Sequence, residues 1–201
     1  MNDLYQHDMI LAAQGAVRIA GVDEAGRGPL AGPVVAAAVV LNLSEPIDGI
    51  NDSKKISEKR REALYEQIIQ KAQKYATGIS SPKEIDEINI LQATFLAMKR
   101  AIEAINGFYD FLLIDGNQYV AGLSKDNQRS LTGGDAKSAS IAAASIVAKV
   151  TRDRMMGEYH NQYPQYDFGK HKGYGTKKHR EMITQHGLCE IHRKTFLKSF
   201  F

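Results

Sequence analysis

The sequence predicts an α/β fold, in which a sheet is covered by helices on both faces. Residues 34–41 form a nearly unbroken apolar run, which is typical of a strand buried from both sides. Other strand-like runs alternate along the chain with segments whose apolar residues recur every three to four positions. A chain of 201 residues with 43% hydrophobic content is long enough to bury such a core as one domain.

The elements follow one another in a regular order. Strands are predicted at residues 17–22 and 34–41, a weaker one at 75–79, a buried one at 111–114, and a polar edge strand within 118–132. One helix begins at Ser57, a plausible N-cap, and runs to about residue 72. A second runs from Pro82 to about residue 106 as one continuous apolar stripe.

The next helix, residues 138–159, is rich in small residues and is predicted to pack centrally on the sheet. Its charged residues Lys149, Arg152 and Arg154 are expected to point away from the sheet. Asp153 is expected to form salt bridges with these basic neighbours rather than to bind a metal. Two short helices, broken at Gly187, are predicted near the end of the chain.

An acidic and glycine-rich turn joins the first two strands. Asp23 and Glu24 follow a buried strand directly, and two adjacent carboxylates are costly to desolvate unless a metal ion, an arginine or a cationic substrate meets them. Gly26 and Gly28 allow a ligand to approach the backbone closely. A simple hairpin with a polar tip remains an alternative. The turn is not a P-loop, because the required Gly-Lys-Ser/Thr ending is absent. It is not a dinucleotide-binding loop either, because that loop would need a helix where a valine-rich run begins.

Two further acids occupy comparable positions. Asp115 ends a buried strand, and Asp135 lies in the flexible turn of residues 133–137. Ligands collect at strand ends in open sheets, so these acids and Asp23 are expected to meet, although a turn-forming Asp-Gly is the alternative for Asp115. Neighbours in a regular strand point to opposite faces. We therefore expect the strand to end or bulge between Asp23 and Glu24 if both enter one site.

Charge is unevenly distributed along the chain. Residues 170–201 contain eight Lys and Arg against two Glu, whereas residues 1–169 contain 18 against 21 acids. A basic segment beside an acidic site indicates a polyanionic partner. Tyr174 lies between glycines in this segment and is typical of a nucleic-acid contact, with a packed loop aromatic as the alternative. The four histidines of the segment lack zinc-motif spacing and are interpreted as surface or substrate-contact residues.

Some protein classes are excluded by composition. The first 15 residues lack a signal-peptide pattern, and no later run approaches a membrane span, so we expect a cytoplasmic protein that does not engage a membrane. The single cysteine, Cys189, excludes an internal disulfide and a multi-cysteine zinc site, and its context favours a bystander role.

Several of these segments resemble the motifs of the ribonuclease HII family, the type 2 ribonucleases H. The similarity covers roughly residues 17–196 and is carried by DEAGRGPLAGPV at 23–34, NDSKK at 51–55, IDG at 114–116, GDAKS at 134–138 with AAASI at 142–146, KVTRD at 149–153, HKGYGT at 171–176 and HRKTF at 192–196. The resemblance implies a ribonuclease H-like mixed five-stranded sheet flanked by helices. It further implies a catalytic domain at 1–160 and a small helical, basic extension at 161–201 that binds substrate.

The resemblance also implies an activity. Family members cut the RNA strand of RNA–DNA hybrids and cleave on the 5′ side of single ribonucleotides in duplex DNA, leaving a 3′-hydroxyl and a 5′-phosphate. By motif position it assigns catalysis and metal binding to Asp23, Glu24, Asp115 and Asp135. It assigns substrate contacts to Gly26, Arg27, Gly28, Lys54, Ser145, Lys149 and Tyr174.

Oxygen ligands of this kind suit Mg²⁺ or Mn²⁺, and two such ions about 4 Å apart stabilise both the attacking water and the leaving 3′-oxygen. We expect a monomer that acts on RNA–DNA hybrid and ribonucleotide-containing duplex DNA. Two alternatives remain. A catalytically silent hybrid-binding protein would not need four carboxylates, and a phosphotransferase would need the lysine that is absent from the glycine turn.

Overall fold

The computed structural model describes residues 3–198, and its centre is a five-stranded sheet in the order β3-β2-β1-β4-β5. The strands are β1 (Ile19–Ala25), β2 (Val34–Val40), β3 (Lys74–Ser80), β4 (Phe111–Asp115) and β5 (Gln128–Leu131). β1 pairs antiparallel with β2, and β2 with β3, whereas β4 runs parallel to both β1 and β5. The predicted mixed five-stranded sheet is therefore confirmed.

Strand β1 is longer than its apolar run predicts. It continues through both acids, with Asp23 opposite Ala37, Glu24 opposite Ala36, and a final pair at Ala25. The strand neither ends nor bulges between Asp23 and Glu24, as it would need to for both side chains to enter one site. Cross-strand pairing to β2 holds the backbone regular, so the two carboxylates leave opposite faces of the sheet.

Six α-helices surround the sheet in the part of the chain that the structure describes. They are α1 (Asp3–Ala13), α2 (Glu58–Lys71), α3 (Pro82–Ala104), α4 (Ala139–Gln162), α5 (Phe168–His171) and α6 (Lys177–His186). Helices α1, α2 and α4 share one hydrophobic core with one sheet face, and α3 covers the other face. No helix within residues 3–198 is long and apolar enough to cross a membrane.

The small-residue helix α4 packs centrally, as predicted. A Cβ added to Gly21 of β1 would lie 2.0 Å from the carbonyl carbon of Ser140 in α4, so only glycine allows this approach. Ala142, Ala143 and Ala144 are fully buried in the same layer. Close packing of α4 on β1 brings the middle of that helix beside the acidic end of the strand.

Helix α3 differs from the continuous helix that its periodicity predicts. Ser81 caps it through the predicted first turn, together with Glu84 in a capping box. The backbone then breaks at Asn89, which has φ 68° and ψ 165°. The Asn89 side chain accepts hydrogen bonds from the amides of Leu91 and Gln92, so it restarts the helix as a second N-cap.

The segment after α4 folds back over the connection between β1 and β2. Leu30 and Ala31 of that connection share a hydrophobic cluster with Phe168, Ile183 and other residues of the segment. Helix α6 ends just before Gly187, and within the described residues only a 3₁₀ turn at Lys194–Phe196 follows, so the prediction of a second helix after Gly187 is wrong. Helix α4 runs on to Gln162, and the division into domains at 160/161 stays a prediction.

Candidate active site

Three carboxylates meet at one end of the sheet. Asp23 and Asp115 each come directly after the paired residues Val22 and Ile114 of the parallel strands β1 and β4. Asp135 lies in the 3₁₀ turn Gly134–Ala136 that precedes α4. Ligand oxygens of Asp23, Asp115 and Asp135, together called the acidic cluster, all lie within 4.8 Å of one another.

Asp23 is the most deeply buried member of the acidic cluster. Burial raises its pKa well above the usual range, and the charges of Glu24 and Asp115 raise the pKa further. The hydroxyl of Ser145 on α4 and the amide of Glu24 both donate hydrogen bonds to Asp23 and oppose that rise. Burial and repulsion are thus concentrated on one carboxylate at the centre of the site.

The other two members of the cluster are held by the 3₁₀ turn. The amide of Gly134 donates a hydrogen bond of 2.7 Å to Oδ1 of Asp115. Burial raises the pKa of Asp135, and the neighbouring charge of Asp115 adds to the effect. Lys54 opposes the rise in that pKa from the solvent side, since its Nζ lies 3.7 Å from Oδ2 of Asp135.

Glu24 lies beside the acidic cluster rather than within it. It faces the α3 side of the sheet, where it shares a small cleft with Thr94, Met98 and Asp115. Burial raises its pKa, whereas the nearby Arg27, whose Nη1 is 3.4 Å from Oε1, lowers it. The charge of Asp115 also raises the Glu24 pKa, and the charge of Glu24 raises that of Asp23, so the fourth acid lies within electrostatic reach of these two.

The acidic cluster fits a hard divalent cation. Its donors are carboxylate oxygens alone, which Mg²⁺, Mn²⁺ and Ca²⁺ prefer over softer metals. The clustered acids repel one another when ionised, as the raised pKa values of Asp23 and Asp135 indicate. A bound divalent ion would remove that repulsion.

A cleft of about 270 Å³ opens next to the acids. It is lined by every residue for which the sequence predicts a substrate contact, namely Gly26, Arg27, Gly28, Lys54, Ser145, Lys149 and Tyr174. Tyr174 is 45% exposed, and its Cε1 would lie 3.7 Å from a Cβ added to Gly28. The 45% exposure disfavours a purely packed loop aromatic, and the tyrosine ring lies beside Gly28.

The wall of the cleft on α4 is organised by a polar network. The Ser145 hydroxyl lies 2.9 Å from that of Ser53, a buried residue that sequence reasoning did not assign to the site. Lys149 donates to Asp153 at 2.7 Å, and Arg61 lies 3.8 Å from the same carboxylate. The prediction that Asp153 forms salt bridges is confirmed for Lys149. Its second partner comes from α2, and Arg152 and Arg154 bind elsewhere.

Two predictions about buried polar residues are wrong. Arg152 is 1% exposed and points inward, because its guanidinium donates to the carbonyls of Ala31, Pro33 and Lys172. His179 and His192, interpreted from the sequence as surface or substrate-contact residues, are 0% and 2% exposed. No local signal distinguishes these residues, since the carbonyls and rings that surround them come from distant segments.

The buried histidines form a directional chain of hydrogen bonds beneath Tyr174. His179 Nδ1 lies 2.9 Å from the Tyr174 carbonyl, which only accepts, so this nitrogen carries the proton. His179 Nε2 then accepts from His192 Nε2 at 3.1 Å, and His192 Nδ1 accepts from the Cys189 amide. We call His179 and His192 the histidine relay. All of these bonds form at once only when both rings are neutral.

Comparison with solved structures places the fold in a known class. Ribonuclease H2 from Pyrococcus horikoshii superposes with a TM-score of 0.71 and 29% identity, covering 89% of this chain and 93% of that one. Bst-RNase HIII, solved in complex with Mn²⁺, superposes with a TM-score of 0.69 over 85% of this chain and 63% of that one. Its 16% identity shows the fold alone. The protein therefore has a ribonuclease H-like fold.

Sequence comparison narrows the class to one family. The sequence model described as Ribonuclease HII matches residues 20–200. Ribonuclease HII of Endomicrobium trichonymphae is 57% identical over 195 residues, which is 97% of this chain and 92% of the relative. This chain belongs to the ribonuclease HII family, and its activity class is that of a ribonuclease H.

Proposed function

We propose that the protein is an endoribonuclease that hydrolyses the RNA strand of RNA–DNA hybrids and cleaves 5′ of single ribonucleotides embedded in duplex DNA. The observation that carries the proposal is the convergence of two buried carboxylates, Asp23 and Asp135, and the half-buried Asp115 beside a cleft lined by a glycine turn and an exposed tyrosine. Cleavage of the P–O3′ bond adds a water oxygen to phosphorus and releases a 3′-hydroxyl and a 5′-phosphate.

Asp23, Asp115 and Asp135 would hold a divalent ion of the Mg²⁺ or Mn²⁺ class, and Glu24 would extend the ligand set to a second ion. Two such ions supply electrostatic stabilisation of the attacking and leaving oxygens. Ser145 orients the central carboxylate through its hydrogen bond to Asp23. The raised pKa of Asp23 means that ion binding must compete with protons at this position.

The cleft supplies substrate recognition in this proposal. Lys54 and Lys149 present positive charge to the phosphates on either side of the scissile bond. The 2′-hydroxyl is the only group that distinguishes ribose from deoxyribose at the sugar. It would face the backbone groups of Gly26, Arg27 and Gly28 and the hydroxyl of Tyr174. One chain supplies all of these groups, which supports action as a monomer. The cytoplasmic location stays a prediction.

The decisive experiment is cleavage of an end-labelled DNA duplex that carries one ribonucleotide. Wild-type protein should cut 5′ of the ribonucleotide with Mg²⁺ or Mn²⁺ and should stop when EDTA is added. Asp115→Asn keeps an oxygen that accepts from Gly134 but removes a charge from the cluster, so turnover should fall about 10²-fold or more. Binding without cleavage by the wild-type protein would instead support the silent hybrid-binding alternative.

Asp110→Asn is the matched control. Asp110 lies just before the opposite end of the same strand β4, where its carboxylate pairs with Arg18. It has no contact with the acidic cluster, so this variant should cleave at close to the wild-type rate. Near-wild-type cleavage by a folded Asp115→Asn protein would exclude the role assigned to Asp115.

A further inference from the structure

Two buried arginines hold the backbone around the cleft. We define the glycine turn as residues 26–33 and the tyrosine loop as residues 172–176. Arg193 is fully buried, and its Nε donates to the Gly32 carbonyl at 2.9 Å. Its Nη1 donates to Arg27 at 3.0 Å, and its Nη2 donates to Gly26 at 2.6 Å and Pro33 at 3.2 Å. All four acceptors are backbone carbonyls of one turn.

Arg152 joins that turn to the tyrosine loop. Its Nε donates to Pro33 at 2.9 Å and its Nη2 to Ala31 at 3.1 Å, whereas its Nη1 reaches the Lys172 carbonyl at 3.0 Å. The amide of Leu30 also donates directly to the Gly173 carbonyl at 2.8 Å. The two segments, about 140 residues apart in sequence, are therefore connected through one guanidinium and one backbone hydrogen bond.

The burial of these cations is costly. Desolvation lowers the pKa of Arg152 to about 10 and that of Arg193 to about 9. Within the described residues, the hydrogen bonds from the two guanidinium groups end on backbone carbonyl oxygens, so no carboxylate hydrogen bond offsets the desolvation. Each arginine instead contributes to the geometry of the backbone, because a planar guanidinium with five donors fixes several carbonyls at once.

Gly26 lies in close contact with the buried side chain of Arg152. It has φ 99°, a conformation that favours glycine, and an added Cβ would lie 2.1 Å from Nε of Arg152. The backbone of the glycine turn therefore packs directly against the buried guanidinium of Arg152. A shift of either arginine must move the residues that line the cleft.

We infer that Arg152 and Arg193 are positioning residues that hold the glycine turn and the tyrosine loop as one rigid unit for reading a single ribonucleotide. This inference rests on the proposed function. A lone ribonucleotide offers one 2′-hydroxyl, which must fit between Gly26–Gly28 and Tyr174, and misplacement by about 1 Å costs up to 10²-fold in rate. A continuous RNA strand offers a 2′-hydroxyl in every register, so its cleavage is less sensitive to a loosened cleft.

The test compares kcat/KM on two substrates of the same sequence, a duplex with one ribonucleotide and an all-RNA/DNA hybrid. Arg193→Lys and Arg152→Lys keep the charge but lose the planar fork, so the ratio of single-ribonucleotide to hybrid cleavage should fall about tenfold or more. Arg154→Lys is the matched control, because Arg154 lies on the same helix, is exposed, and binds Glu62 and Glu66 instead. Its ratio should match the wild type.

A second readout measures positioning without catalysis. Amide hydrogen exchange of a peptide covering residues 26–33 should speed up in both Lys variants, while a peptide covering residues 141–150 of α4 stays protected. A role limited to general stability would lower cleavage of both substrates equally. An unchanged ratio with unchanged exchange in the turn would overturn the inference.

Asp86→Asn provides a milder variant should the arginine variants fail to fold. The Asp86 carboxylate accepts from the amides of Lys194 and Thr195 and from the Thr195 hydroxyl, so it anchors the backbone that carries Arg193. Its loss should lower the cleavage ratio in the same direction by a smaller factor, and an unchanged ratio counts against the inference. If the wild-type protein cuts neither substrate, the proposed function itself is wrong.

Discussion

The histidine relay predicts a specific dependence of stability on pH. Burial lowers the pKa of both His179 and His192 to about 4, from an ordinary value of 6.5. Between these values the unfolded chain binds protons that the folded protein excludes. The stabilisation is therefore complete above pH 6.5 and is lost as the pH falls through 4.

The magnitude follows from the two pKa values. A fall from pH 7 to pH 5 protonates an unfolded histidine almost fully but leaves the folded ring mostly neutral, which costs about 2 kcal/mol for each ring. The perturbation that isolates one ring is His192→Gln, which replaces a titrating group by a neutral amide. The difference in unfolding free energy between wild type and variant should be about 2 kcal/mol larger at pH 7 than at pH 5.

Urea denaturation at the two pH values measures this difference directly, provided that the m-value is unchanged. Subtracting the variant removes the contribution of the carboxylates, which titrate in both proteins. His186→Gln is the control, since His186 is exposed at the end of α6 and lies outside the relay. The neutral histidine relay would be refuted if the difference in unfolding free energy between wild type and His192→Gln changed by less than about 0.5 kcal/mol between the two pH values.

Further predictions concern the substrate, the metal and the core. Tyr174→Ala should strongly reduce cleavage at a single ribonucleotide with little change in thermal midpoint. Tyr174→Phe should retain activity only if ring stacking dominates. Rapid cleavage by Tyr174→Ala would contradict the recognition model. Replacing Lys170, Lys177 and Lys178 by Gln should reduce the salt slope of duplex binding by about 0.9 for each lost phosphate contact, and an unchanged slope would exclude them from the interface. The rise in thermal midpoint that Mg²⁺ produces should become smaller as the pH is lowered, because the raised pKa values of Asp23 and Asp135 let protons compete with the ion. Gly21→Ala should destabilise the protein by about 3 kcal/mol or more in urea, since the added methyl meets the backbone of α4.

The structure changes how the basic segment must be tested. Deleting residues 170–201 would not isolate the phosphate contacts, because the segment buries Ile183 and Leu197 and carries Arg193 into the core. A truncated protein would lose the hydrogen bonds from Arg193 to the glycine turn together with any phosphate contact. Charge-neutralising substitutions on exposed lysines separate these two effects.

The sequence by itself determined the order of the strands and the main helices, the N-cap Ser57, the position of Pro82 in the first turn of α3, and the acids that lie at strand ends. Each of these is a local property, because periodicity, capping and turn chemistry depend on a few neighbouring residues. The resemblance to ribonuclease HII added the candidate set of cleft residues. The α/β class and the central place of α4 followed from local patterns alone.

Only the tertiary structure decided which polar residues are buried and which way they face. Regular pairing with β2 directs Asp23 and Glu24 to opposite faces, and a capping side chain breaks α3 at Asn89. Arg152 and His179 look like surface residues in the sequence, yet both are buried. The reason is that burial of a polar group depends on partners for its hydrogen bonds, and here those partners come from segments far away in the chain.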